Sequence, residues 1–300
     1  MRFILGRGIW RSDAACAGLP DSVQGPPAYN CAIMQILNIA AYKFIALDAL
    51  PALKAAITEA LAARHIKGSV LLAEEGINLF LAADSVAIHD FLAWLRLDAR
   101  FENLDIKESW SAAQPFGKLL VKVKPEIIRM NQPAIRPSAG RAPAVDPVTL
   151  KRWLDQGMDD AGRPVVMLDT RNTYEVEAGT FRQAMDWRLQ KFTEFPQAVQ
   201  DHRRDLEGLV GKTVVSFCTG GIRCEKAAIY LQQAGISHVY QLDGGILKYF
   251  EECGQAHFDG ECFVFDDRRA VDAALHPRVN VGASSDSQAL SAVGSLPAPS

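Results

Sequence analysis

No two of the six cysteines (Cys16, Cys31, Cys218, Cys224, Cys253 and Cys262) stand as C-x-x-C, so the chain lacks the spacing of a zinc ribbon or a thioredoxin-like redox pair. That usage fits a reducing, cytoplasmic setting. No run reaches the ~20 consecutive apolar residues of a membrane span. The opening MRFILGRGIW is interrupted at Gly6, Arg7 and Gly8, leaving no signal-peptide core, and neither export nor a membrane is expected. Surplus positive charge is also missing: the formal net charge is -3 and the pI near 6.1, so a nucleic acid would have to be held by a local basic patch. What remains is an ordinary mixture, 49% hydrophobic and 22% charged over 300 residues, which favours two folded domains.

Residues 1–33 carry Gly6, Gly8, Gly18, Pro20, Gly25, Pro26 and Pro27 without a hydrophobic period and are read as an unstructured leader, with Met34 as the true start. Residues 276–300 are small and polar and are expected to be disordered. From 34 to 130 the pattern reads strand, helix, strand, strand, helix, strand. A first strand within ILNIAAYKFIAL precedes the helix DALPALKAAITEALAARH, expected to be capped by Asp48 with Pro51 in its first turn. The runs IKGSVLLA and INLFLA follow, joined through Glu74, Glu75 and Gly76; then come a helix near Ser85 to Leu97 and a final strand KLLVKVK. This is the order of a ferredoxin-like βαββαβ unit.

Residues 131–145, NQPAIRPSAGRAPAV, hold three prolines and a glycine and are read as a linker. In the domain expected over 146–257, the runs VVMLD, TVVSF and HVYQLD alternate with helical stretches near Phe192–Gly208, Cys224–Ala234 and Gly245–Cys253. The alternation implies an α/β domain whose mainly parallel sheet is covered on both faces, with residues 258–275 as a C-terminal segment. Chemistry in such sheets collects where strands end and helices begin.

In KTVVSFCTGGIRCEKAAIYLQQAG, Cys218 ends a strand and a helix opens near Arg223 or Cys224. Backbone N–H groups and the positive helix end converge on such a loop and stabilise a thiolate, or the anion of a sulfur carried on it. Thr219, Gly220, Gly221 and Ile222 form the loop body; the two glycines let successive N–H groups point inward, and Arg223 adds a permanent charge. A buried, inert Cys218 would need none of this in register. Cys224 is either a resolving thiol for Cys218 or a first-turn residue facing the core.

The elements DTRNTYEVEAGTF, CTGGIRCEKA and LDGGI together resemble a rhodanese domain, and the four residues between Cys218 and Arg223 give the short loop of sulfur-accepting rhodaneses rather than the longer loop of related phosphatases. With HIKGSVLLAEEGINL, KLLVKVKPEIIRM and GECFVFDDR, the stretch from Met34 to about Ala274 resembles the bacterial tRNA uridine-5-hydroxylase family. The resemblance implies an acylphosphatase-like domain joined to a rhodanese domain. It also implies hydroxylation of the wobble uridine of tRNA to 5-hydroxyuridine, with molecular oxygen as co-substrate and Cys218 at the catalytic-cysteine position. No protein partner is implied.

From Ser111 to Arg141 six basic residues, among them Lys118, Lys122, Lys124 and Arg129, face one acid, Glu126. In KLLVKVK a period of two sends Leu119, Val121 and Val123 to one face and the lysines to the other. That lysine face either meets RNA phosphates or guards an edge strand against aggregation, and the resemblance favours RNA. The sequence has no G-x-G-x-x-G, and so no flavin or NAD fingerprint. His257, Asp259 and His276 have the composition of an iron site but not a setting that surrounds a metal, so no metal is expected. Two rival functions remain: sulfur transfer through a Cys218 persulfide, and a non-catalytic RNA-binding or regulatory module.

Overall fold

The computed structural model describes residues 36–276, so the leader, the start at Met34 and the tail from 277 onward lie outside the described residues. The first domain consists of β1 (Ile36–Phe44), α1 (Leu50–Ala63), β2 (Lys67–Ala73), β3 (Gly76–Ala83), α2 (Ser85–Leu95), β4 (Ile106–Ser111) and β5 (Leu119–Val123). Its sheet runs β4-β1-β3-β2-β5, antiparallel except for the β2–β5 pair. The ferredoxin-like reading therefore holds, with one correction. The fourth strand of the unit is Ile106–Ser111, while the KLLVKVK run is an added fifth strand on the opposite edge.

A second correction concerns α1. Its N-cap is Ala49 in the left-handed conformation, with no side-chain cap; the Asp48 carboxylate instead accepts from Arg100 at 2.8 Å. Along β1 the period of two decides what faces what: Leu37, Ile39 and Ala41 join the core under the helices. Tyr42 and Phe44 fall on the other face and pack with Ala73, Ile127 and Ile222.

The second domain runs β6 (Ala144–Val145), α3 (Pro147–Gln156), β7 (Val165–Asp169), α4 (Thr173–Val176), β8 (Gly179–Phe181), β9 (Met185–Asp186), α5 (Phe195–Asp201), α6 (Arg203–Glu207), β10 (Thr213–Phe217), α7 (Ile222–Gln233), β11 (Val239–Leu242) and α8 (Gly245–Cys253), followed by β12 (Phe258–Gly260), β13 (Cys262–Phe263) and β14 (Ala270–Val271). Its main sheet, β6-β11-β10-β7-β9, is parallel throughout. Alternation along the strands sends Leu168 and Val214 to the core shared with α5, α6 and α7. Met167, Val215 and Phe217 go to the core shared with α3 and α8.

The expected linker is structured at its end, since Ala144 and Val145 form the edge strand of this sheet. The helix expected over Phe192–Gly208 is a 3-10 turn and two short helices that meet at His202. The segment after 257 is built into the domain: β12 pairs with β8, and Phe258, Cys262, Val264 and Val271 are core residues. Among the described residues no helix is long and apolar enough to cross a membrane.

Candidate active site

Cys218, Thr219, Gly220 and Gly221 turn the chain from the end of β10 into α7, which opens at Ile222. Two first-turn donors of α8 fix this turn from below: the N–H of Ile246 reaches the Cys218 carbonyl at 3.0 Å and that of Leu247 the Thr219 carbonyl at 3.1 Å. With those carbonyls held away, the Gly221 N–H donates to Cys218 Sγ at 3.1 Å. The glycine requirement is narrower than the sequence suggests. Gly221 has φ of 99°, and a Cβ there would lie 2.8 Å from the Tyr42 hydroxyl, whereas Gly220 has ordinary φ and open space around it. The LDGGI motif is explained by the same turn, because a Cβ on Gly245 would stand 2.5 Å from the Cys218 carbonyl oxygen.

Cys218 and Cys224 are both fully buried and in contact. Burial pushes the Cys218 thiol up, but the hydrogen bond from Cys224, the Arg223 charge and the N–H groups of Arg223 and Gly221 outweigh it and hold Cys218 below the ordinary thiol range. Burial and the neighbouring Cys218 sulfur push Cys224 well up. Of the two sulfurs, Cys218 is the one whose ionised form its surroundings favour. Cys224 Sγ also lies 3.7 Å from the hydroxyl of Thr170, which donates to the Phe217 carbonyl at 2.9 Å.

Arg223 is not a free anion-binding charge. Its guanidinium makes a fork of 2.6 and 2.7 Å bonds to Glu175, with the two side chains 5% and 0% exposed. Glu175 lies within DTRNTYEVEAGTF, where nothing local marks it as the partner of Arg223. In the same stretch Arg171 pairs with Asp169 at 2.7 Å and donates to the Gly179 carbonyl at 2.6 Å, which ties the two ends of the β7–β8 connection together. With both arginines neutralised, the nest suits one thiolate better than a doubly charged phosphate.

The amino-terminal domain completes the rim. The Tyr42 hydroxyl donates to Glu225 at 3.2 Å; Glu225 also accepts from Arg141 at 2.8 Å and from Gln241 at 3.1 Å, and Arg141 reaches Asp243 at 3.4 Å. Arg141, counted in the basic strip, is therefore committed to this network. Next to it, Lys226 is buried between Glu75 at 2.8 Å and Glu126 at 2.6 Å, and donates to the Ile128 carbonyl at 3.0 Å. Nothing local in the sequence marks the pairings of Tyr42, Glu75, Glu225 and Lys226, since each finds a partner in the other domain.

The remaining expected residues are exposed. Lys118, Lys122 and Lys124 lie on edge strand β5 or just beside it, with Leu119 and Val121 packed inward, and Arg129 donates to Asn131 at 2.9 Å. The set weighed as an iron site is not gathered: His257 Nε2 is 2.7 Å from Asp155, and Asp259 accepts from Arg182 at 2.9 Å.

A parallel sheet whose strand end carries a cysteine in a helix-opening turn defines a rhodanese-like protein. The profile of the rhodanese-like domain matches residues 150–252, and that of the UPF0176 acylphosphatase like domain matches residues 36–127. The tRNA uridine(34) hydroxylase of Bordetella pertussis is 65% identical over 243 residues, 81% of this chain and 98% of that protein. That of Variovorax paradoxus is 61% identical over 246 residues, 82% of this chain and 92% of that protein. The chain belongs to the tRNA uridine(34) hydroxylase family.

Proposed function

We propose that this chain hydroxylates the wobble uridine of cytoplasmic tRNA at C5, with Cys218 as the reacting group and molecular oxygen as co-substrate. The observation that carries the reading is the Cys218 sulfur, held at 3.1 Å by the Gly221 N–H where α7 opens, in a chain 65% identical over 243 residues to a tRNA uridine(34) hydroxylase. Uracil C6 is electrophilic, so thiolate addition there forms a C–S bond and places the electron pair of the 5,6 double bond on C5. C5 then takes oxygen, and loss of its proton with release of the thiolate restores the double bond. The overall balance is uridine, oxygen and an external dithiol, which supplies two electrons and two protons, giving 5-hydroxyuridine, water and the corresponding disulfide.

Cys218 has no exposed surface. The rim over it, which includes Tyr42, must therefore yield for a base to reach the sulfur. Nucleoside mass spectrometry of tRNA from cells lacking this gene, complemented with wild type or Cys218→Ser, tests the proposal. Wild type should restore 5-hydroxyuridine and Cys218→Ser should not, with unchanged circular dichroism. Restoration by Cys218→Ser would remove the thiolate from the mechanism. Thiosulfate-to-cyanide transfer by a wild type that fails to restore the nucleoside would favour the sulfurtransferase reading.

A further inference from the structure

The GECFVFDDR stretch stands against the cysteine turn, with the Thr219 hydroxyl 3.4 Å from the Phe263 carbonyl. Its residues alternate: Cys262 and Val264 are buried, while Phe263 and Phe265 turn outward, and Phe265 is 44% exposed. Phe265 is nevertheless held firmly. The Arg223 guanidinium carbon is 5.8 Å from its ring centroid, Phe263 meets it edge-on at 5.5 Å, and Phe80 of the amino-terminal domain lies at 6.2 Å. The chain just after it is tied across to the same domain: Arg268 pairs with Asp266 at 2.6 Å and donates to the Ser109 hydroxyl at 2.7 Å, while the Asp267 N–H reaches the Pro115 carbonyl at 3.2 Å.

Phe265 lines a narrow cleft that is also lined by Thr219, the residue after Cys218. Its charge pattern argues for the kind of occupant. The nearby arginines are paired, Arg223 with Glu175 and Arg268 with Asp266, so little there attracts a phosphate. The apolar walls suit a flat neutral ring, and the Glu251 carboxylate, one turn along α8 from Leu247, is an acceptor for an N–H on such a ring.

We propose that the exposed face of Phe265 is the stacking wall for the target uracil, an RNA base taken out of its loop stack and delivered to the Cys218 turn with its N3–H toward Glu251. The proposal rests on the RNA-hydroxylase reading above and adds the base subsite to it. Aromatic stacking of a single-stranded base contributes about 1–3 kcal/mol, which is a five- to roughly hundredfold effect on affinity.

Fluorescence anisotropy with an anticodon stem-loop carrying uridine at position 34, and with the same stem-loop abasic at 34, separates base from backbone. Phe265→Leu should weaken the uridine loop by that factor and leave the abasic loop unchanged, and Phe265→Tyr should bind both as wild type does. Equal loss on both loops, or no loss on either, overturns the stacking wall while leaving the hydroxylase reading intact. Wild-type protein that binds neither loop overturns both. A measurement on unaltered protein stands beside these: 5-bromouridine at position 34, irradiated in the complex, should crosslink to Phe265, and a crosslink mapping outside this cleft refutes the assignment.

Discussion

Removing Arg223 should do more than weaken a thiolate, because Glu175 would be left buried. In the native site the Glu175 carboxylate, without exposed surface, takes two bonds from Arg223, and its other donors are the Asn172 N–H at 3.1 Å and the Thr219 hydroxyl at 3.4 Å. Deleting one partner of a buried ion pair costs about 3–5 kcal/mol, and for a chain of this size each kcal/mol lowers Tm by about 2–4 °C. Arg223→Ala should therefore melt about 6–20 °C below wild type. Arg223→Ala with Glu175→Ala removes both charges and should recover part of that loss.

The two variants should also order the Cys218 thiol. Its pKa should rise in the double variant and rise further in Arg223→Ala, where an unpaired carboxylate opposes the thiolate. Alkylation by iodoacetamide across pH, read by peptide mass spectrometry, gives that order. The pH dependence of stability has a definite sign. Burial opposes ionisation of Glu175, but Arg223 outweighs it and holds the native carboxyl below its ordinary value. That pairing contributes stability above the unfolded pKa of roughly 4.3, which is lost as pH falls through the native value. In Arg223→Ala the carboxyl is raised instead, so acid relieves its strain, and the Tm gap to wild type should narrow from pH 8 to pH 5. A gap under about 3 °C at pH 8, or a double variant no more stable than the single, would refute the buried-pair account.

Tyr42→Ala should uncover the cysteine turn, speeding iodoacetamide alkylation of Cys218 while lowering tRNA hydroxylation; alkylation at the wild-type rate would show that Tyr42 does not cover the sulfur. Lys122→Ala and Lys124→Ala should each shallow the log–log salt dependence of tRNA binding by about 0.7–0.9. Wild-type slopes in both would leave the lysines as edge protection alone.

What the sequence revealed and what it hid divide by distance along the chain. The Cys218 turn was legible because its strand, glycines, arginine and helix are contiguous. Glu175 lies 48 residues from the Arg223 it binds, and Tyr42 lies 183 from Glu225. No local pattern announces such partners. The same limit explains the errors in the fold. IKESWS is a half-exposed edge strand without an apolar run, whereas the alternation in KLLVKVK marks a strand without showing which edge it joins. Asp48 had the chemistry of a cap, but Arg100, 52 residues on, takes its carboxylate. The break at His202, whose ring stacks on Trp187 at 5.4 Å, depends on a tertiary contact within an otherwise helical stretch.

The first turns of α7 show why the two domains belong to one site. Arg223, Glu225 and Lys226 are all buried there, and each is matched from a different place: Arg223 by Glu175 of its own domain, Glu225 by Tyr42 and Arg141, Lys226 by Glu75 and Glu126 of the other domain. Buried charges of this kind add little net stability, but they penalise any arrangement that leaves one unmatched. Ile222, packed with Ala73 and Ile127, adds an apolar contact at the same point. The helix that donates N–H groups to Cys218 is therefore held in register by the amino-terminal domain. A sulfurtransferase acting on a small donor would need neither Tyr42 over its loop nor Lys226 between two glutamates of another domain. An enzyme that must present one base of an RNA to a buried cysteine has a use for both, because the residues around the cysteine turn are then set by the contacts that hold α7.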